Sequence, residues 1–262
     1  MKVDANGVRI NIALSGNTSG PVVLLSHSLA TSLDLWLPQL AALEPQFRVL
    51  RYDTRGHGGS DAPQGAYTLA QLADDAVGIM DALDIEAAHW VGISMGGMIG
   101  QAVALNHAAR LRSLVLCDTA AVVPPEAQTL WQQRIEKARG EGMAALADET
   151  LERWFTPPYL AKAPPGVRRI RDMILSTPVL GFIGCSEAIR RLDFLDRLGD
   201  IRLPTLIMVG EQDPGTPVAN SEAIHSRIKE SRLEIIPTAA HLCNVEQAEA
   251  FNQVLLGFLQ TL

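Results

Sequence analysis

Three residues far apart in this chain carry side chains that together can perform acyl transfer: Ser94, Asp213 and His241. A serine hydroxyl is a poor nucleophile at neutral pH. It becomes effective when an imidazole takes its proton and a carboxylate holds that imidazole in the correct tautomer. Ser94 lies in Gly92-Ile93-Ser94-Met95-Gly96, a G-x-S-x-G pattern between the apolar run Ala88–Ile93 and a stretch rich in small residues, 95–107. The pattern needs both glycines, because a serine presented on a sharp, strained strand-to-helix turn leaves no room for side chains two positions away. Taken alone, these five residues read as an ordinary glycine loop. With the strand before and the helix after, they read as a nucleophile elbow.

After such an elbow the acid and then the base follow in chain order, each at the carboxyl end of a later strand. Asp213 follows the apolar run Thr205–Gly210, although an aspartate before Pro214 is also a common turn residue. His241 follows the run 233–236. The spacing of Asn244 and Gln247 predicts a helix N-cap pair there, which leaves His241 in the preceding loop. None of His27, His57, His89, His107 and His225 follows the last strand. Asp118, after the run Leu111–Cys117, is the rival for the acid and ranks below Asp213. The oxyanion needs two backbone N–H donors, one from the residue after the nucleophile and one from an early strand-to-helix loop. Met95 and Leu29 are the expected donors, with His27 a structural residue of the early loop.

The elements that must position these groups read as α/β. Strands are expected over 8–14, 22–26, 49–52, 88–93, 111–117, 205–210 and 233–236, alternating with helical patterns, the signature of a mainly parallel sheet with helices on both faces. Asn6-Gly7 predicts a hairpin joining 2–3 to the first of these strands. Between Asp118 and about Asp200 the alternation stops, and the text turns helical with proline breaks at Pro124-Pro125, Pro157-Pro158 and Pro164-Pro165. The expected organisation is a core of 1–120 and 201–262 carrying a helical cap, 121–200. Cations and anions balance within 121–200, so the whole net charge of −7 falls on the core.

That charge, with a pI near 5.4 and no basic tract, argues against a nucleic-acid partner. The stretch 90–105 is apolar but too short and glycine-rich to span a bilayer, so no membrane partner is expected. Residues 1–4 lack signal-peptide character. Cys117, Cys185 and Cys243 form neither a C-x-x-C pair nor an even set, which suggests no zinc site, no disulfide framework and a cytoplasmic setting.

His27, the run Asp53-Thr54-Arg55-Gly56-His57-Gly58, the elbow, Asp213 and His241 together resemble the α/β-hydrolase superfamily across nearly the whole chain, with Ser28 in place of the commoner glycine after His27. More narrowly, four phrases resemble the 3-oxoadipate enol-lactonases. They are Leu50-Arg51-Tyr52-Asp53-Thr54-Arg55-Gly56-His57-Gly58, Ser94-Met95-Gly96-Gly97-Met98-Ile99-Gly100-Gln101, Leu151-Glu152-Arg153-Trp154-Phe155-Thr156 and His241-Leu242-Cys243-Asn244-Val245-Glu246-Gln247. The third is the most telling, because it lies in the insert, where the superfamily varies most. The resemblance implies opening of an anionic lactone in aromatic-ring catabolism, without metal or organic cofactor. A free carboxylate on such a substrate calls for a buried cation. Arg134, three residues after Trp131 on one helix face, is the candidate, and Trp154 is a second wall. Asp53, Arg55, His57 and Ser60 are expected to hold their loop, and Cys243 to be a buried spectator. A broader carboxylesterase, lactonase or carbon–carbon bond hydrolase shares the same groups, and a receptor that keeps them without turnover is the alternative outside enzymes.

Overall fold

A computed structural model describes residues 1–262. Its eight strands are β1 (Lys2–Ala5), β2 (Val8–Gly16), β3 (Val22–Ser26), β4 (Arg48–Tyr52), β5 (Ala88–Ile93), β6 (Leu111–Cys117), β7 (Thr205–Gly210) and β8 (Arg232–Ile236). They form one sheet in the order β1-β2-β4-β3-β5-β6-β7-β8. The first two strands pair antiparallel, as does β2 with β4; every other pair is parallel. The β1–β2 turn uses Asn6 and Gly7, with φ 48° and 77°, as a two-residue hairpin turn of positive φ requires.

Eleven α-helices accompany the sheet: α1 (Leu37–Leu43), α2 (Leu69–Ala82), α3 (Met95–Asn106), α4 (Gln128–Glu141), α5 (Ala144–Trp154), α6 (Pro157–Ala161), α7 (Pro165–Ser176), α8 (Val179–Ile189), α9 (Val218–Arg227), α10 (Cys243–Glu246) and α11 (Ala248–Leu259). Strands β5 and β7 are buried at every position, which is why they read as largely apolar runs and not as an alternation. Strands so buried need helices over both faces; α2 packs with α3, and α1 separately with α11.

Helices α4 to α8 all lie between β6 and β7. The chain leaves and returns at one place: Val122 bridges Asp193, Val123 N–H donates to Leu192 (3.0 Å) and Phe194 N–H to Ala121 (2.7 Å). Inside the insert, α4 packs on α5 and α8, and α5 on α7. No single helix is long and apolar enough to cross a membrane.

The expected N-cap pair is not formed. Asn244 lies inside α10, whose N-cap is Leu242, and its amide reaches Gln39 Oε1 (3.2 Å). Gln247 occupies the N-cap position of α11 without a side-chain cap bond, and its amide bonds back to Thr238. A buried polar partner on α1 competes successfully with the local cap. His241 nonetheless lies in the loop before α10.

Candidate active site

Ser94 sits between β5 and α3 with φ 54° and ψ −117°, a strained conformation of the kind that costs about 1–3 kcal/mol and persists only where the surroundings enforce it. They do so here. A methyl group on Gly92 would strike the Gly96 carbonyl, and one on Gly96 would strike the Ser26 carbonyl of β3. Ser94 N–H donates to Cys117 (2.8 Å), and the Ser94 carbonyl accepts Thr119 Oγ1 (2.8 Å), so both sides of the strained residue are tied to the β6 end.

The loops after β7 and β8 bring two further groups to the same sheet edge. His241 Nδ1 donates to Asp213 Oδ2 at 2.7 Å. Asp213 also accepts Gly215 N–H (2.7 Å), Thr216 N–H (3.1 Å) and Thr216 Oγ1 (2.6 Å). Burial alone would raise the carboxyl pKa, but the facing imidazole and these donors outweigh it and hold it below its ordinary value. For His241 burial pulls downward, and the Asp213 charge and hydrogen bond reverse it, leaving the imidazole above its ordinary value. Ser94 and His241 line one cavity without being hydrogen-bonded to each other. Such a bond is commonly long without substrate and tightens on binding.

Two backbone donors beside Ser94 are left free by the fold. Leu29 N–H has no acceptor in the protein, and Met95, as the first residue of α3, has none within its helix. The early loop is held in shape from outside. Ala30 N–H donates to His57 Nε2 (3.0 Å), Thr54 N–H to His27 Nε2 (2.9 Å), and His27 Nδ1 to the Ser28 carbonyl (2.7 Å). Both histidines are thereby acceptors at Nε2, and burial drives their pKa down, His57 to about 3. Asp53 accepts Leu33 N–H (2.7 Å), Arg55 pairs with Asp75 (2.6 Å) and Ser60 Oγ donates to the Asp53 carbonyl (2.6 Å). None of Asp53, Arg55, His57 and Ser60 lines the cavity.

The rival acid Asp118 does not reach His241. It accepts Gly210 N–H (2.7 Å) and Cys243 Sγ (2.8 Å), and burial followed by repulsion from Asp213 pushes its pKa up to about 8. Cys243 is fully buried, and burial lifts its thiol well above its ordinary range. All three cysteines are free and buried, and no cluster of three His, Cys, Asp or Glu side chains is arranged to hold a metal.

The cavity, about 90 Å³, is lined from below by Ser28, Leu29, Ser94, Met98, Gly215, Thr216 and His241. The helical insert covers it with Trp131, Arg134, Arg153, Trp154 and Ile189. Trp154 stacks on the His241 ring, with centroids 6.1 Å apart. Arg134 lies 4.7 Å over the Trp131 ring, as their three-residue spacing on α4 predicts. Arg153 is engaged by Glu149 (2.7 Å); Arg134 has no acceptor at all, and its Nε is buried. Burial and the neighbouring Arg153 push the Arg134 pKa down to about 10, which leaves it cationic at neutral pH. Thr216 and Arg153 also line the cavity and are not among the expected site residues, although Arg153 stands in the phrase Leu151–Thr156. The Asp213-Pro214-Gly215-Thr216 run, an aspartate with a hydroxyl residue three positions on, was the available signal for the first.

A sharp serine turn at a parallel strand end, facing an aspartate-bound histidine from the last strand, defines an α/β hydrolase arrangement. The chain belongs to that family: residues 21–248 match the alpha/beta hydrolase fold. Among its relatives is 3-oxoadipate enol-lactonase 2 of Acinetobacter baylyi, 36% identical over 96% of this chain and 93% of that one. Among solved structures, it is similar to an enol-lactonase from Burkholderia xenovorans LB400 (40% identity, TM-score 0.95, 99% of this chain and 100% of that one). It is also similar to a thermophilic esterase from Thermogutta terrifontis with malate bound (31% identity, TM-score 0.94, 100% and 98%). The chain is thus a hydrolase-fold protein whose relatives include enol-lactonases.

Proposed function

We propose that this protein opens the ring of 3-oxoadipate enol-lactone, giving 3-oxoadipate, by way of an acyl-enzyme on Ser94. The observation that carries this reading is the unpaired guanidinium of Arg134, buried at its Nε in the cavity that holds Ser94 and His241. Arg134 is half-buried, and its shielded Nε–H lacks a partner that a substrate carboxylate would supply. The core, 1–120 and 201–262, supplies the chemistry, and the cap, 121–200, supplies the anion site.

Ser94 Oγ adds to the lactone carbonyl carbon as His241 Nε2 takes its proton, with Asp213 bound at Nδ1 to orient the ring and stabilise the imidazolium. The oxyanion accepts the Leu29 and Met95 N–H groups. The ring C–O bond breaks, and the departing enol oxygen recovers the proton from His241. That oxygen is a better leaving group than an alcohol and needs little acid help. Water then adds to the acyl ester, His241 again taking a proton, and Ser94 leaves with it. The released enol tautomerises to the ketone. Turnover of the enol-lactone should vanish in Ser94→Ala, and acid quenching of the native enzyme should trap a substrate acyl group on Ser94. Intact turnover in the variant refutes the proposal. The similarity to an esterase favours a broader carboxylesterase as the second reading. A kcat/KM on p-nitrophenyl acetate exceeding that on the enol-lactone would select it.

A further inference from the structure

The two family-like phrases from the cap and from the His241 loop are bonded to each other, and a single buried carboxylate makes most of the connection. Glu246 Oε2 accepts the Ala240 N–H at 3.0 Å, immediately before His241. Its Oε1 accepts the Thr156 N–H at 3.1 Å and the Thr156 hydroxyl, two residues after Trp154. On the other side of His241, Leu242 N–H donates to the Trp154 carbonyl at 3.1 Å. The histidine backbone is therefore clamped to the cap on both sides, while the Trp154 ring stacks on the imidazole between the clamps. Glu246, Thr156 and Trp154 are all buried, and Glu246 does not line the reaction cavity.

We infer that Glu246 is a positioning residue, one that locks the imidazole of His241 to the substrate-covering wall of the cap so that base and wall keep one mutual geometry. This rests on the reading of His241 as the general base. The physical ground is that three donors from two separate segments converge on one acceptor-only group, which no local turn requires. Glu246 and Thr156 are 90 residues apart in the chain. A neutral residue could pack there, but it would leave Ala240 and Thr156 donors buried and unpaired. Displacement of a base by about 1 Å costs on the order of a hundredfold in rate.

Thr156→Val keeps the side-chain shape and removes one donor; Thr156→Ser keeps the hydroxyl and removes the methyl. The expected result is a fall of about tenfold in kcat for Thr156→Val, equal on the enol-lactone and on p-nitrophenyl acetate, with KM altered less than about twofold. Thr156→Ser should restore at least half of the native kcat. Glu246→Ala should lose about a hundredfold, and should it fail to fold, the threonine pair decides alone. Unchanged kcat in Thr156→Val, or equal damage in Thr156→Ser, overturns the inference, and so does a loss confined to KM. Inactive Ser94→Ala beside a fully active Thr156→Val would discard the clamp and leave the hydrolase reading intact; active Ser94→Ala would discard both.

Discussion

Replacing Arg134 with methionine separates recognition of the substrate anion from chemistry. Methionine keeps a flexible stem against Trp131 and removes the charge. The guanidinium has no protein acceptor, and the other cavity cation, Arg153, is held by Glu149 at 2.7 Å and cannot substitute without breaking that pair. A hydrogen bond to a charged group contributes about 1.5–3 kcal/mol. At 1.36 kcal/mol per tenfold, its loss lowers kcat/KM by roughly 10- to 150-fold. The carboxylate is remote from the reacting carbonyl and is held equally in ground and transition states, so the loss should appear in KM with kcat nearly unchanged. On p-nitrophenyl acetate, which has no carboxylate to bind, Arg134→Met should change kcat/KM by less than about twofold. A second consequence concerns stability: an unsatisfied buried donor costs about 1–3 kcal/mol, so removing it should raise Tm by a few degrees, at about 2–4 °C per kcal/mol. Initial rates on both substrates at fixed ionic strength, together with calorimetry, test the pair of effects. Equal losses on the two substrates would refute the assignment.

Asp213→Asn should lower kcat by about 10³–10⁴-fold, because the amide cannot hold the imidazole tautomer, whereas Asp118→Asn should stay within about threefold, since Asp118 with its pKa near 8 is mostly protonated at pH 7. The acid limb of the native kcat/KM profile should lie above the ordinary imidazole value, as the Asp213 partnership requires, and comparable damage from both aspartate variants would reverse their roles. His57 supplies a stability test. Its folded pKa of about 3 lies below the ordinary 6.5, so between those values the unfolded chain binds more protons and stability declines as pH falls. The full window amounts to about 5 kcal/mol. His57→Gln, which keeps an acceptor for Ala30 N–H, should flatten Tm against pH between 7 and 4.5; parallel curves would remove His57 as the titrating group.

The sheet was legible because its central strands are buried on both faces and so appear as apolar runs bounded by glycine and proline; each of the seven expected strands lies within or coincides with an observed one. The Ser94, Asp213 and His241 positions were legible from chain order at strand ends. Burial competition was not: Asn244 has the local spacing of a cap, yet its amide is taken by Gln39, 205 residues away. The Arg153 pair was available from spacing, since Glu149 stands four residues before it on α5, but that Arg134 on α4 would be left without an acceptor depended on how the helices pack. The Glu246–Thr156 contact was likewise invisible, although both residues stood within the phrases that carried the resemblance.

Under the proposed function, that contact joins the loop that carries the base to the cap that covers the substrate. The elbow and the Asp213–His241 pair stand at one edge of the sheet, and under the proposed function they carry the acyl-transfer groups. Substrate choice needs a wall above Ser94 at a fixed distance from the base, and here that wall belongs to a separate part of the chain, 121–200. Charge adds to the effect. The chain carries −7 overall while 121–200 is neutral, so for the proposed anionic substrate the cap is the less repulsive part of the chain, and Arg134 and Arg153 bring its cations to the cavity. A loosened clamp would leave the cations of the cap in place and move the imidazole, whose backbone is bonded on both sides to the cap. The clamp through Glu246 therefore acts on the rate of every substrate alike, while the choice among substrates falls to the cap's own contacts, Arg134 first, because only they distinguish a carboxylate from its absence.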